Sequence, residues 1–191
     1  MPEAEADGSP GPTDPVWIEA ADRFRAIFEA EHGYVWSTLR RLGVPVADLE
    51  DVSHEVFIRA FRRFGDFDAS RPARPWLFGF AYRGASDYRR LARHRHEISS
   101  DAASDAVDPA PSADEQLDER DKRAMLERAL DSVPLERRAV FVLHEIEGRA
   151  VPDIAESLGL PVNTAYSRLR IARAELGAAI ARIRAQRREA P

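Results

Sequence analysis

The sequence predicts an all-α protein of two small helical domains, an N-terminal helical bundle and a C-terminal helix-turn-helix domain, joined by a flexible acidic linker. Three observations predict it. Apolar residues recur at steps of three and four in two separate blocks. A stretch of Ser, Ala, Asp and Pro divides those blocks. Across that divide, residues 99–119 hold seven acids and no base.

The chain has 191 residues, 44% of them hydrophobic and 32% charged, enough to bury a core. No apolar run approaches the roughly 20 residues that a membrane span needs. No basic-then-apolar leader opens the chain, so a cytoplasmic protein with no membrane partner is expected. The absence of Cys excludes disulfides, zinc–thiolate sites and thiol nucleophiles. The formal charge of −5 hides an uneven distribution. Residues 161–191 carry seven Arg against Glu175 and Glu189, so an acidic total does not argue against a nucleic-acid partner.

Residues 1–16, rich in Pro, Gly, Ala and acids, read as a disordered tail. Residues 17–97 read as the first domain. A helix over about 20–42 offers Phe24, Ile27, Phe28, Val35, Leu39 and Leu42, and Gly43-Val44-Pro45 ends it. A second, Asp48 to Phe64, has Leu49, Val52, Val56, Phe57, Ala60, Phe61 and Phe64 on one stripe and an acidic front of Asp48, Glu50, Asp51 and Glu55. That front is either an ordinary solvated face or a docking surface for a basic partner. A third helix, about 75–95, buries Leu77, Phe80, Ala81, Gly84 and Leu91. Phe24, Phe28, Phe57 and Phe61 are expected in the core. On the third helix Phe78, Tyr82, Arg89 and Arg93 fall off the apolar stripe. Aromatic rings stack unpaired bases while Arg tracks phosphates. The segment therefore reads either as a single-strand-binding surface or as a solvated Arg-rich helix.

Residues 98–117 read as the linker, extended by its own charge repulsion. Residues 118–191 form the second domain. Helices over 118–131 and 134–147 precede Asp153–Leu158, a short helix stopped by Gly159. Pro161 opens the next helix after a three-residue turn, a helix-turn-helix pattern. Ile154, Ala155, Leu158, Leu160, Val162, Ala165, Leu169 and Ala172 are expected inside. A rotation of about 100° per residue then turns Asn163, Tyr166, Ser167 and Arg170 outward. Asn suits adenine, Arg suits guanine and Ser suits either in the major groove. Arg168 and Arg173 flank them where phosphates run. A plain helical bundle is the competing reading. The five His show no ligand spacing beyond His94 and His96, so neither a metal, a cofactor nor an enzyme activity is expected.

Taken together, the segments DLEDVSHEVFIRAFRRFGDFD, RPARPWLFGFAYRGASDYRR and VPLERRAVFVLHEIEGRAVPDIAESLGLPVNTAYSRLRIARAEL resemble, in order and spacing, bacterial RNA polymerase sigma factors of the extracytoplasmic-function type in the sigma-70 family. The resemblance implies a subunit that binds core polymerase and directs promoter-specific initiation. It implies docking on the largest-subunit clamp through Asp51, His54, Glu55 and Phe57. It implies capture of melted −10 DNA by Arg74, Trp76, Phe78, Tyr82, Arg83, Arg89 and Arg90. Reading of the −35 duplex would fall to Asn163, Thr164, Tyr166, Ser167, Arg168, Arg170 and Arg173. The partners implied are core RNA polymerase, promoter DNA and an anti-sigma protein. The linker resembles a segment threaded through basic channels of the polymerase. The chain departs from the family at His54 (usually Gln), Pro75 (often Thr), Tyr82-Arg83 (often Arg-Asn) and Ile171 (often basic). A stand-alone helix-turn-helix regulator that binds duplex DNA without polymerase is the alternative.

Overall fold

A computed structural model describes residues 15–98 and 114–189. In chain order the helices are α1 (Pro15–Arg41), α2 (Leu49–Arg62), α3 (Ala73–Ile98), α4 (Asp114–Asp131), α5 (Leu135–Phe141), α6 (Val151–Leu158) and α7 (Val162–Glu189). No strand occurs among the described residues. α1 begins inside the stretch expected to be tail, and α4 begins inside the expected linker. The rest of both stretches, 1–14 and 99–113, lies outside the described residues, as do the side chains of His94 and His96.

α1, α2 and α3 pack on one another. Leu39, Leu49, Val56, Ala60, Leu77 and Ala81 close their core against solvent. Phe24, Phe57, Phe61 and Phe64 fill one end with edge-on and tilted rings. α2 carries Glu50 and Asp51 in its first turn and Arg59 and Arg62 in its last, which suits the helix dipole at both ends. Where α2 meets α3, Gly84 lets Val56 come close enough that a Cβ would stand 2.9 Å from Val56 Cγ2.

α7 is the spine of the second group, with α4, α5 and α6 packed along it. Ala139, Val140, Leu143, Ile154, Ala165 and Ala172 form the core. The expected helix 134–147 is α5 followed by a wider π-turn over Val142–Ile146. Its end donates Glu147 N–H to Val142 O, and Arg149 N–H reaches Leu143 O. Such widened turns re-aim the side chains that follow them, and here they aim Glu147 at the first group.

The two groups touch. Tyr34 Oη donates to both carboxylate oxygens of Glu147, at 3.0 and 3.1 Å. Arg40 pairs with Glu127 at 2.8 Å. Arg138, 1% exposed, donates to Val133 O and Asp131 Oδ1 and rests on Gly43. Gly43 caps α1 at φ +91, with Val44 N–H returning to Leu39 O.

Four expectations about the core are corrected. Phe28 is exposed, set edge-on to Phe57 at the rim of α1. Leu91 is exposed because Tyr88 already reaches Asp48 at the start of α2, so Leu91 overshoots that helix. Val162 is exposed on the first turn of α7. Phe78 lies off the narrow stripe yet is 1% exposed. α3 is covered on more than one side, by α1, α2 and α6, so its buried arc is wider than one stripe.

Candidate nucleic-acid interface

The first surface is the outer face of α7. Gly159 takes the left-handed conformation at φ 64, ψ 38, open to Gly at no steric cost. Its N–H reaches Glu156 O, and Leu160 N–H closes back on Ala155 O at 2.8 Å, a Schellman stop. Pro161 O then accepts from Thr164 and Ala165 as α7 starts. The short turn is thereby fixed, and with it the crossing of α6 on α7, where Ala155 and Ala165 are buried. Ala165, Leu169 and Ala172 face inward. Asn163, Tyr166, Ser167 and Arg170 are exposed, Tyr166 by 54%. Thr164 and Arg168 are half-buried at the flank. Arg173 is exposed and pairs with Glu145. Tyr166, Arg170 and Arg173 rim a hollow shared with His144 and Val151. His144 was not singled out for this surface. Its Nδ1 lies 2.8 Å from Arg149 O, which leaves the other ring nitrogen free of that bond.

The second surface is a cleft of about 1360 Å³ beside α3. Of the residues expected to hold unpaired bases, Trp76, Tyr82 and Arg83 line it. Trp76 is held 4.9 Å from Phe67 and edge-on to Phe80 at 5.0 Å, and Arg83 lies over the Phe80 ring at 4.9 Å. The Asp68 carboxylate accepts from Ser70 N–H and Oγ–H, which hold it below its usual range and set the loop entering α3. The other expected residues do not converge there. Arg74 bonds Glu31 and lies over Tyr34. Phe78 is core. Arg89 faces Arg138, and Arg90 bonds Asp87. Sequence reasoning missed Phe67, Phe80, Arg59, Arg62 and Arg63 on the cleft wall. The spacing of Arg59 and Arg62 on the last turn of α2, with Arg63 just past its end, was the available signal. α6 supplies a further wall, with Asp153, Glu156 and Ser157. Burial pushes the Tyr82 hydroxyl up, with Glu136 raising it further and Arg168 lowering it.

The third surface is the front of α2. Asp51, His54 and Glu55 are exposed, and Glu55 pairs with Arg59 at 2.8 Å. Phe57, expected among them, is buried against Phe28 and the stacked His32 ring, so it supports this face from behind. Among the described residues no helix is long and apolar enough to cross a membrane, and no cluster of His, Asp and Glu could hold a metal ion.

Comparison with known proteins identifies the family. Family profiles described as "Sigma-70 region 2" and "Sigma-70, region 4" match residues 27–95 and 115–176. The RNA polymerase sigma factor NccH of Alcaligenes xylosoxydans xylosoxydans is 33% identical over 73% of this chain and 76% of its own length. The ECF sigma factor SigL of Mycobacterium tuberculosis is 32% identical over 78% of this chain and 83% of its own. Among solved structures, CnrH in complex with the cytosolic domain of CnrY aligns at a TM-score of 0.56 and 27% identity, over 84% of this chain and 92% of that one. RpoE in complex with the anti-sigma factor NepR, from Bartonella quintana, aligns at 0.65 and 20% identity over 83% and 96%, a likeness of fold. With its helix order and these relatives in agreement, the chain belongs to the sigma-70 family as an RNA polymerase sigma factor of the ECF subfamily, a subunit for transcription initiation.

Proposed function

We propose that the chain joins core polymerase through the α2 face around Asp51, His54 and Glu55, reads −35 duplex DNA with α7, and captures melted −10 DNA in the aromatic cleft beside α3. The observation that carries this reading is the outward fan of Asn163, Tyr166, Ser167 and Arg170 behind a fixed turn. The N-terminal half of such a helix fits the major groove. In the cleft, stacking on Trp76 and Tyr82 offsets the few kcal/mol that unstacking a base costs. The protein acts in the cytoplasm, where polymerase and promoter DNA meet. Its remaining partner is an anti-sigma protein, the kind of molecule bound to RpoE in the similar structure.

The test is in vitro transcription from a pooled promoter library with core polymerase, with and without this protein. Transcripts that require it are expected to share two upstream elements. No dependence on the protein, with no co-migration with core, would overturn the reading in favour of a free-standing regulator. Arg170→Ala is expected to weaken specific −35 binding by about 1–3 kcal/mol while binding to scrambled duplex holds. Equal loss on both would make Arg170 a phosphate contact only.

A further inference from the structure

The front of α2 and the cleft share one side chain. Arg59 stands in the last turn of α2, one turn after Glu55 and beside α3. Its Nε donates to Glu55 Oε1 at 2.8 Å, and its Nη1 donates to Asp87 Oδ2 at 2.7 Å. Glu55 is exposed on the front of α2, whereas Arg59 and Asp87 are half-buried and line the cleft. Asp87 also accepts from Arg90 Nη2 at 3.1 Å. The two carboxylates push the Arg59 guanidinium up, Asp87 first and Glu55 second, so its charge is secure. Glu55, Arg59, Asp87 and Arg90 together carry two negative and two positive charges. A phosphate that approaches this part of the cleft therefore meets a neutral set. The balance depends on Glu55, the one carboxylate of the set that is not on the cleft wall.

We infer that Arg59 couples the two surfaces: a cation of the polymerase that pairs with Glu55 releases Arg59, and the released guanidinium takes a phosphate of the single strand in the cleft. This rests on the docking and −10 roles proposed above. Once a partner's cation satisfies Glu55, the remaining three groups hold a surplus of one positive charge beside the cleft. A guanidinium suits the exchange, because its planar fork binds phosphate as it binds carboxylate. An ion pair between neighbouring turns of a helix is weak at the surface, so the Glu55 bond is given up cheaply. The Asp87 bond meanwhile keeps Arg59 against α3. By linkage the effect is reciprocal: whatever docking adds to strand affinity, the strand adds to docking.

The test measures that reciprocity in the complex. The fluorescently labelled full-length chain is titrated with core polymerase, with and without a saturating random single-stranded DNA of about 12 nucleotides. The ratio of the two Kd values is the coupling factor. In the unmodified chain the strand is expected to tighten core binding about fivefold or more. Arg59→Gln and Glu55→Gln are each expected to lower that factor, and the double variant no further than the stronger single change, because both act through one link. Glu55→Gln alters only an exposed side chain, so the coupling test stands even without a folded Arg59→Gln. Release of the strand from the complex is then followed against salt. Arg59→Gln is expected to lower the slope of log K on log salt by about 0.7, the loss of one single-strand phosphate contact, and Glu55→Gln to leave the slope unchanged. Undiminished coupling in Glu55→Gln, reductions that multiply in the double variant, or an unchanged slope in Arg59→Gln overturns the inference. Those outcomes are read with core and strand both bound. A chain that does not bind core, or a complex that does not bind the strand, instead overturns the proposed docking or −10 role, and the coupling with it.

Discussion

Glu147 stands where one side chain senses both halves of the molecule. Burial pushes its carboxyl up, against the hydrogen bond from Tyr34 and the charges of Arg149, Arg41 and Arg74. The Tyr34 hydroxyl is pushed up as well, by burial first and by Glu147 second. A carboxyl held above its unfolded value binds its proton more tightly in the folded chain. Its contribution to stability is full below the unfolded value and is lost as pH rises through the folded-state one. Lowering the pH towards the ordinary carboxylate range is therefore expected to raise the thermal midpoint of the chain relative to Glu147→Gln. That variant, neutral throughout, should lack this part of the pH dependence, and an identical dependence in both proteins would place the titrating group elsewhere. Arg138 answers a different demand. Burial pulls its guanidinium down to about 10, with Asp131 pulling the other way, yet it stays charged at neutral pH. A buried charge with one carboxylate partner is tolerated where geometry is good and costs heavily when that partner is removed.

Among the elements, the α2–α3 crossing carries the tightest fit in the first group. Gly84→Ala would gain about 1 kcal/mol of helix propensity but drive a methyl into Val56, a stiff, fully buried neighbour. Overpacking of this kind costs about 1–3 kcal/mol, so a net loss is expected by thermal or urea unfolding. In a Val56→Ala background the same change should become neutral or stabilising; the same loss in both backgrounds would remove this contact as the cause. The element scale also shows what the sequence could reveal. The helices, the Gly159 stop and the outward set on α7 follow from apolar period and turn chemistry, because α6 and α7 each bury one face. α3 did not yield to the same reading. It is covered on more than one side, so a single stripe assigned Phe78 to solvent and left Phe80 out of the binding surface. The walls of the cleft come from α2, α3 and α6, and no one segment carries the pattern that joins them. The π-turn was also hidden, because Val142 to Ile146 keeps an apolar run that a plain helix would share.

At the scale of the whole molecule, two weak readers become one strong one only while they share a chain. Joining two modules raises overall affinity by about 10²–10⁴ without a new contact, provided both can engage together. A protease site placed between 98 and 114 provides the check. Cleavage is expected to cut transcription from promoters that need both elements by a large factor within that range, while each half keeps its helical content by circular dichroism. Full activity after cleavage would mean that the polymerase holds each half independently.

The seat of Arg138 on Gly43 has a consequence for descent. The two residues lie 95 positions apart, in segments that match separate family profiles, 27–95 and 115–176. Recombination between genes can exchange those segments as intact cassettes. A newcomer with any side chain at 43 would collide with this arginine, and one lacking the arginine would leave the glycine facing a void. A hybrid of two paralogues can inherit sound helical groups from both parents and still lose this contact between them, unless glycine and arginine arrive as a pair.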